Sequence, residues 1–358
     1  CLMKGYFYII FLLFSSCAQV ISPSGGKKDN NKPTLINTSL LQKENELILS
    51  FIFNEYIQLN NWKDNFYVSP PLNKGFKKNI KGKTLFLNIE DTINKNITYN
   101  ISLNNCIKDI NEGNILDSLT YNLNLEKNKD TTSLSGRLVD AYSFSPVEKG
   151  WVMLFKNTID DSLIFKTSPN YVSKTNGDGY YNFPNLKFGK EYKLVATTNL
   201  DFIYNQDDNI AFHYKSVIAG QDSFINMFSF NQSESNIDSI NDNLSTENDS
   251  IISDSMNNNF DDLGNLYIVS EYSKSCIFEL SKEDESPLKY TFACAPYVLK
   301  NIPSGEYSLK CIIDKNNDQK WNTGSWEKKT QPEPVKIYPS KIIIRKNWDL
   351  EIDFQITE

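Results

Sequence analysis

The sequence predicts an all-β protein made of tandem antiparallel β-sandwich domains. Three observations carry this prediction. Apolar and polar residues alternate at period two through most of the chain, as half-buried strands require. Clusters of Asn, Asp, Gly and Pro interrupt the alternation at short intervals, as turns do. A hairpin pattern around Gly189 recurs around Gly305, so part of the fold is repeated.

The chain opens on a different kind of segment. Lys4 is followed by an apolar run from Gly5 to Phe14. That run is shorter than the roughly 20 apolar residues a membrane-spanning helix needs. It fits a secretory leader, residues 1–17, with Met3 as the expected start. The ending Phe14-Ser15-Ser16-Cys17 resembles a bacterial lipobox. The resemblance implies that Cys17 is lipidated and becomes the first mature residue. Residues 18–30 are small and polar and read as a flexible tether. Ala18 and Gln19 bring no acidic cluster. In Bacteroidetes-type lipoproteins such a cluster resembles a surface-export signal. Its absence favours the periplasmic face of the outer membrane over the cell surface.

Residues 31–128 form the first expected sandwich. Leu47, Leu49, Phe51 and Phe53 share one strand face, as do Leu85, Leu87 and Ile89. Ile97, Tyr99, Ile101 and Leu103 interleave with Thr98, Asn100 and Ser102, and Leu119 to Leu125 alternate likewise. Pro70-Pro71, Asn73 to Gly75 and Asn111 to Asn114 supply turns. The segment resembles the bacterial Ig-like domain through Lys32-Pro33, Phe53 to Ile57, Val68-Ser69-Pro70, Asn96 to Tyr99 and Asp109 to Asn114. Tyr121-Asn122-Leu123 departs from the Phe-x-Thr strand that usually closes the family.

Residues 129–228 carry the clearest pattern. Asn176-Gly177-Asp178-Gly179 predicts a tight hairpin turn. Gly189 supplies the next turn, and Tyr192, Leu194 and Ala196 point inward after it. Trp151 to Phe155 read as a buried strand. The unit resembles the carboxypeptidase-regulatory, prealbumin-like domain. Residues 229–262 are acidic, rich in Asn and Ser and free of Lys and Arg, which predicts a disordered linker. Residues 263–358 repeat the theme, since Asn301-Ile302, Gly305, Tyr307 and Leu309 mirror Asn185-Leu186, Gly189, Tyr192 and Leu194. A second prealbumin-like sandwich is therefore expected, closing on Trp348, Leu350, Ile352 and Phe354. The linker is expected to leave the two cores independent.

The net charge of −7 and the lack of a long basic run argue against a nucleic-acid partner. Catalysis is not expected. His213 is the only histidine, and no nucleophile elbow or phosphate-cradling loop is present. Calcium is the candidate ligand. Asp314, Asn316 and Asp318 fall at positions 1, 3 and 5 of a calcium loop, with the Lys320 carbonyl at 7. Gln319 stands where that loop turns on glycine, and Ser325 where it places its bidentate Glu. Of six cysteines, Cys276, Cys294 and Cys311 share the inward parity of their strands; one disulfide among them and buried free thiols are both open. Ser239, Ser250 and Ser255 follow Asp in short motifs that resemble the O-glycosylation motif of Bacteroidetes envelope proteins.

The whole order resembles a family of Bacteroidetes lipoproteins. It implies a lipid-anchored, non-catalytic envelope protein, docking onto other envelope proteins as a scaffold or as a subunit of an outer-membrane assembly. A glycan-binding accessory lipoprotein is the alternative, with Trp62, Trp321 and Trp326 as its platform.

Overall fold

The alternating segments become short strands in the computed structural model, which describes residues 28–43, 46–125, 131–199, 202–205, 207–233, 262–283 and 285–357. The strands of the first part are β1 (Leu35–Gln42), β2 (Leu47–Phe53), β3 (Ile57–Leu59), β4 (Tyr67–Ser69), β5 (Phe76–Lys81), β6 (Thr84–Ile89), β7 (Tyr99–Ser102), β8 (Ile107–Asp109) and β9 (Thr120–Leu123). The chain divides into two compact units. The first holds the described residues of Cys1–Phe66, Phe76–Glu90 and Leu103–Leu119. The second holds those of Tyr67–Gly75, Asp91–Ser102 and Thr120–Glu358. The division runs through the segment 31–128: the sheet β1-β2-β6-β5 and the pair β3-β8 lie in the first unit, and the sheet β4-β7-β9 in the second.

In the first unit, Leu47, Leu49 and Phe51 stand opposite Ile89, Leu87 and Leu85, and all six are buried. This is the alternation read from the sequence. Trp62 stacks on Phe66 at 4.2 Å, and Phe66 meets Phe76 at 4.4 Å. The Asp109–Asn114 stretch has a clear physical role. The buried Asp109 carboxylate accepts from the backbone N–H groups of Glu112, Gly113 and Asn114 at 2.6 to 2.8 Å. Gly113 has φ +79°, the left-handed backbone that glycine adopts without strain. Burial pushes the Asp109 carboxyl up, but those N–H donors outweigh it and hold the group below the usual carboxylate value. The Asn114 amide then donates to the carbonyls of Asp29 and Asn31, which pins the entering chain.

In the second unit, β7 departs from the expected half-buried pattern, since Asn100 and Ser102 are buried with Tyr99 and Ile101. The sheet's other face is held as well. Asn100 Oδ1 accepts from Asn185 Nδ2 at 2.7 Å, and Ser69 Oγ accepts from Val172 N at 3.0 Å.

Two sandwiches follow. The first contains β10 (Thr132–Asp140), β11 (Trp151–Lys156), β12 (Tyr171–Lys174), β13 (Tyr180–Leu186), β14 (Glu191–Thr197), β15 (Ile210–Phe212), β16 (Val217–Ile218) and β17 (Phe224–Ser229). The second contains β18 (Leu263–Val269), β19 (Cys276–Ser281), β20 (Leu288–Phe292), β21 (Tyr297–Pro303), β22 (Gly305–Ile313), β23 (Val335–Ile337), β24 (Ile342–Ile344) and β25 (Asp349–Asp353). Their topologies match strand for strand. The order β13-β10-β17 faces β12-β11-β14-β15 with β16 on β14; the order β21-β18-β25 faces β20-β19-β22-β23 with β24 on β22. Each small sheet contains one parallel pair, β10–β17 and β18–β25, within an otherwise antiparallel fold.

The repeated residues occupy matching places. Asn185 and Asn301 both take left-handed φ, 59° and 57°, where β13 and β21 shift register against β10 and β18. Tyr192 and Leu194 on β14 belong to one buried core, and Tyr307 and Leu309 on β22 to another. Other local readings change. The Asn176–Gly179 turn is closed by Asn176 and Tyr180, but β12 and β13 on its flanks belong to different sheets. Trp348 is exposed in the turn before β25, whereas Leu350, Ile352 and Phe354 join the core.

Candidate functional site

β11 reads Trp-Val-Met-Leu-Phe, and all five residues are buried. A strand in a two-layer sandwich needs to bury only alternate residues, so an unbroken apolar run implies cover on both faces. Val152 and Leu154 fill the sandwich core with Leu194 and Ala196. Trp151, Met153 and Phe155 face outward with Val195, Phe212 and Phe230. Trp321 and Trp326, from the second sandwich, pack on that outward face. The cover is reciprocal. Ile277, Ile312 and Val335 on the outer face of the second sandwich are covered by Tyr142 and Phe144 from the first.

Polar contacts fix the junction. Gln331 Nε2 donates to the Phe212 carbonyl at 2.8 Å, and Thr323 Oγ1 to the Asn231 carbonyl at 2.8 Å. The Trp326 N–H donates to Gln232 Oε1. Gly324 passes so close to Phe230 that an added Cβ would lie 2.6 Å from the ring. Glu279 is buried in the middle of β19 and accepts from Tyr142 Oη at 2.7 Å on both carboxylate oxygens. Lys289 and Lys310 lie 3.2 and 3.7 Å from the same carboxylate. The Lys310 ammonium also sits 3.8 Å over the Tyr142 ring. Burial pulls that ammonium below the ordinary lysine value, against the opposing pull of Glu279. Lys329 lies over the Trp326 ring, and its ammonium is pulled down to about 8 by burial, although Asp161 opposes the shift. These contacts correct the expected independence of the two cores, which belong to one compact unit.

The loop from Asp314 to Glu333 builds this junction and contains the candidate calcium ligands. Asp314 is buried and accepts from Ser275 Oγ at 3.1 Å, Gln319 N at 3.0 Å and Asp318 N at 3.2 Å. Asp318 accepts from Lys320 N at 2.9 Å, Asn316 Nδ2 at 2.8 Å and Asn322 Nδ2 at 3.0 Å. Gln319 adopts φ 64° in place of the expected glycine. Sequence reasoning missed Glu333. It is buried at the loop's end and accepts from Lys315 N at 2.8 Å and Asn322 N at 3.1 Å. Burial pushes its carboxyl above the ordinary value. The loop thus brings Asp314, Asn316, Asp318 and Lys320 together, but engages them in its own hydrogen bonds. Among the described residues, no three His, Cys, Asp or Glu side chains cluster as a metal site would need.

Trp62 is buried, and Trp321 and Trp326 pack in the junction, so the proposed glycan platform is not an exposed one. Cys276 and Cys311 are buried free thiols on adjacent strands, diagonal in register because Cys276 faces Ile313 and Cys311 faces Phe278. Their thiols are in hydrogen-bond contact with one another and carry no disulfide. Cys294 is exposed and outside any strand, contrary to its expected inward parity. His213 Nδ1 lies 2.9 Å from the Lys215 carbonyl. Cys17, Ser239, Ser250 and Ser255 lie outside the described residues.

Residues 29–133 match the family described as the bacterial Ig-like domain. No curated protein matches the chain. Among solved structures, the chain is similar to the Bacillus anthracis TIE protein at 12% identity, with 93% of this chain and 59% of that one covered and a TM-score of 0.19. Fervidolysin from Fervidobacterium pennivorans, a keratinolytic enzyme related to subtilisin, is 12% identical over 53% of this chain and 26% of that one, with a TM-score of 0.21. BcpA, the major pilin subunit of Bacillus cereus, is 8% identical over 55% and 70%, with a TM-score of 0.19. The chain spans less than two thirds of the first two. At such TM-scores these likenesses carry no argument about function.

Proposed function

We propose that the chain is a lipid-anchored, non-catalytic envelope protein that serves as a rigid docking scaffold, or as a subunit of an outer-membrane protein assembly. The observation that carries this reading is the reciprocal cover at the junction. Trp321, Trp326, Tyr142 and Phe144 fix one sandwich on the other rather than line a cleft. A scaffold needs a fixed geometry between its docking faces, and a buried charge network with a Tyr–Glu hydrogen bond restricts that geometry further. The anchor rests on the Cys17 motif, and the periplasmic face on the absence of acidic residues after it. Partners are other envelope proteins, and glycan remains the less supported alternative. Ser239, Ser250 and Ser255 are proposed O-glycosylation sites, which the intact mass of envelope-purified protein would reveal.

The test is fractionation. Wild-type chain should partition with membranes and carry an acyl group, and Cys17→Ala should release the protein or leave it unacylated. A wild type without acyl group sinks the anchor. Affinity purification from the envelope should recover a defined membrane-protein partner. Calcium at Asp314, Asn316, Asp318 and Lys320 is a further proposal, and millimolar calcium should raise the melting temperature if the ion replaces the loop's amide donors. Superimposable melts with calcium and with chelator would retire it.

A further inference from the structure

The sheet β1-β2-β6-β5 has a second face that the core does not use. Register places Leu41, Ile48, Ile52 and Phe86 on it, opposite in sense to buried Leu49, Phe51, Leu85 and Leu87. Leu41 is 55% exposed, and Ile48, Ile52 and Phe86 are half-buried. β5 edges this face with Lys77 and Lys81, both exposed and opposite Asn88 and Thr84, and Ser50 lies between Ile48 and Ile52, so the apolar strip is interrupted by small polar residues. The hairpin from Phe76 to Ile89 carries Lys77, Lys78, Lys81 and Lys83 and no acidic residue, in a chain whose net charge is −7. Lys77 is ion-paired with Glu90, with Glu46 also near it, at one end of the hairpin, and a lipid phosphate would have to compete with Glu90 there. Lysines on an edge strand also guard against edge pairing, but that role needs no apolar strip beside them.

We propose that this face docks on the surface of an anionic lipid bilayer, with the apolar strip at the headgroup boundary and the lysines on lipid phosphates. Apolar contact flanked by lysine is the chemistry of interfacial membrane binding, and the basic hairpin complements an anionic surface that repels the rest of the chain. The inference rests on the anchored reading, because Cys17 precedes this unit in the chain and a lipid there would tether the unit to a bilayer.

The test uses the chain from Ala18 onward, which carries every described residue and no acyl group. It should co-sediment with vesicles of phosphatidylglycerol and phosphatidylcholine, but weakly with phosphatidylcholine alone. Lys77→Gln with Lys81→Gln should lower partitioning about 30-fold, as expected for losing two surface lysines. Phe86→Ser should lower it while leaving the salt dependence unchanged. The lysine variants are at exposed positions, and an unchanged circular dichroism spectrum would confirm that they fold. Equal binding to both vesicle types, no binding, or binding indifferent to the lysine changes would overturn the proposal. A dimer dissolved by Phe86→Ser would give the face to a second copy and overturn it too. Acylated wild type with no vesicle binding by the unacylated chain would keep the anchor and remove this face. Vesicle binding without acylation would do the reverse.

Discussion

The two sandwiches share a topology strand for strand, yet they contribute unequally to their junction. In the first, Asp208, between β14 and β15, accepts from Asn205 and Asn199. It meets the partner with the outward face of β11, with Phe212 and Phe230, and with Tyr142 and Phe144 from the short turn after β10. In the second, the equivalent chain leaving β22 runs from Asp314 to Pro334 before β23 and carries Trp321 and Trp326 across to the first sandwich. The same fold thus presents a face or reaches across with a clasp according to one loop. The cores are repeated, and the joint between them lies in what the loops carry.

Core truncation gives the largest expected effect. Leu194→Ala and Leu309→Ala should each cost about 2–5 kcal/mol, since both leucines are fully buried. Because the junction couples the sandwiches, each should lower one shared transition in calorimetry. Two transitions that shift separately would return the molecule to independent cores.

Glu279→Gln should cost about 1.5–3 kcal/mol, the scale of hydrogen bonds to a charged group, because it leaves Lys310 without its counter-charge. Denaturant melts should show this loss, and Tyr142→Phe combined with it should give less than the sum of the single effects. Additive effects would mean that the two residues do not form one network.

Gly324→Ala asks whether the clasp is tight. A Cβ there meets Phe230 and the Thr330 carbonyl, so overpacking should cost about 1–3 kcal/mol and weaken the coupling between the sandwiches. No effect would mean that the loop yields freely.

The smallest effect is on pH dependence. Lys329 has a folded-state value of about 8, below its ordinary 10.5. Below about 8 the ammonium is charged in both states, and the folded state bears the burial cost. Between the two values the folded state has released a proton that the unfolded state keeps, so this group's contribution to stability rises with pH there. Wild type should therefore gain stability relative to Lys329→Met from pH 8 to pH 9.5. Parallel pH profiles would show that Lys329 is solvated.

Much of the fold was legible, because period two marks strands and the Asn185 and Asn301 patterns mark equivalent turns. The junction was visible only as an unbroken run. Trp151 to Phe155 read as a buried strand, but sequence does not say what covers its second face. Glu279 interrupts Cys276 to Leu280 and looks like an outward polar residue, although its partner Tyr142 lies far away in sequence. The Asp314 loop had the residue types of a calcium site; that N–H and O–H donors around it satisfy those carboxylates, and that Glu333 takes up two further backbone N–H groups, is a matter of three-dimensional closure. Acidic composition between 229 and 262 suggested a break between domains, but composition of a connecting segment does not report on the surfaces that meet beside it.

The most direct test is to cut that connection. A protease site placed within residues 244–250 should allow cleavage of the folded protein into two chains. The two pieces should then elute together in gel filtration and melt in one transition, held by Trp321, Trp326, Tyr142 and Glu279. Two separately eluting pieces, each with its own unchanged melt, would contradict the clasp and the rigid scaffold built on it.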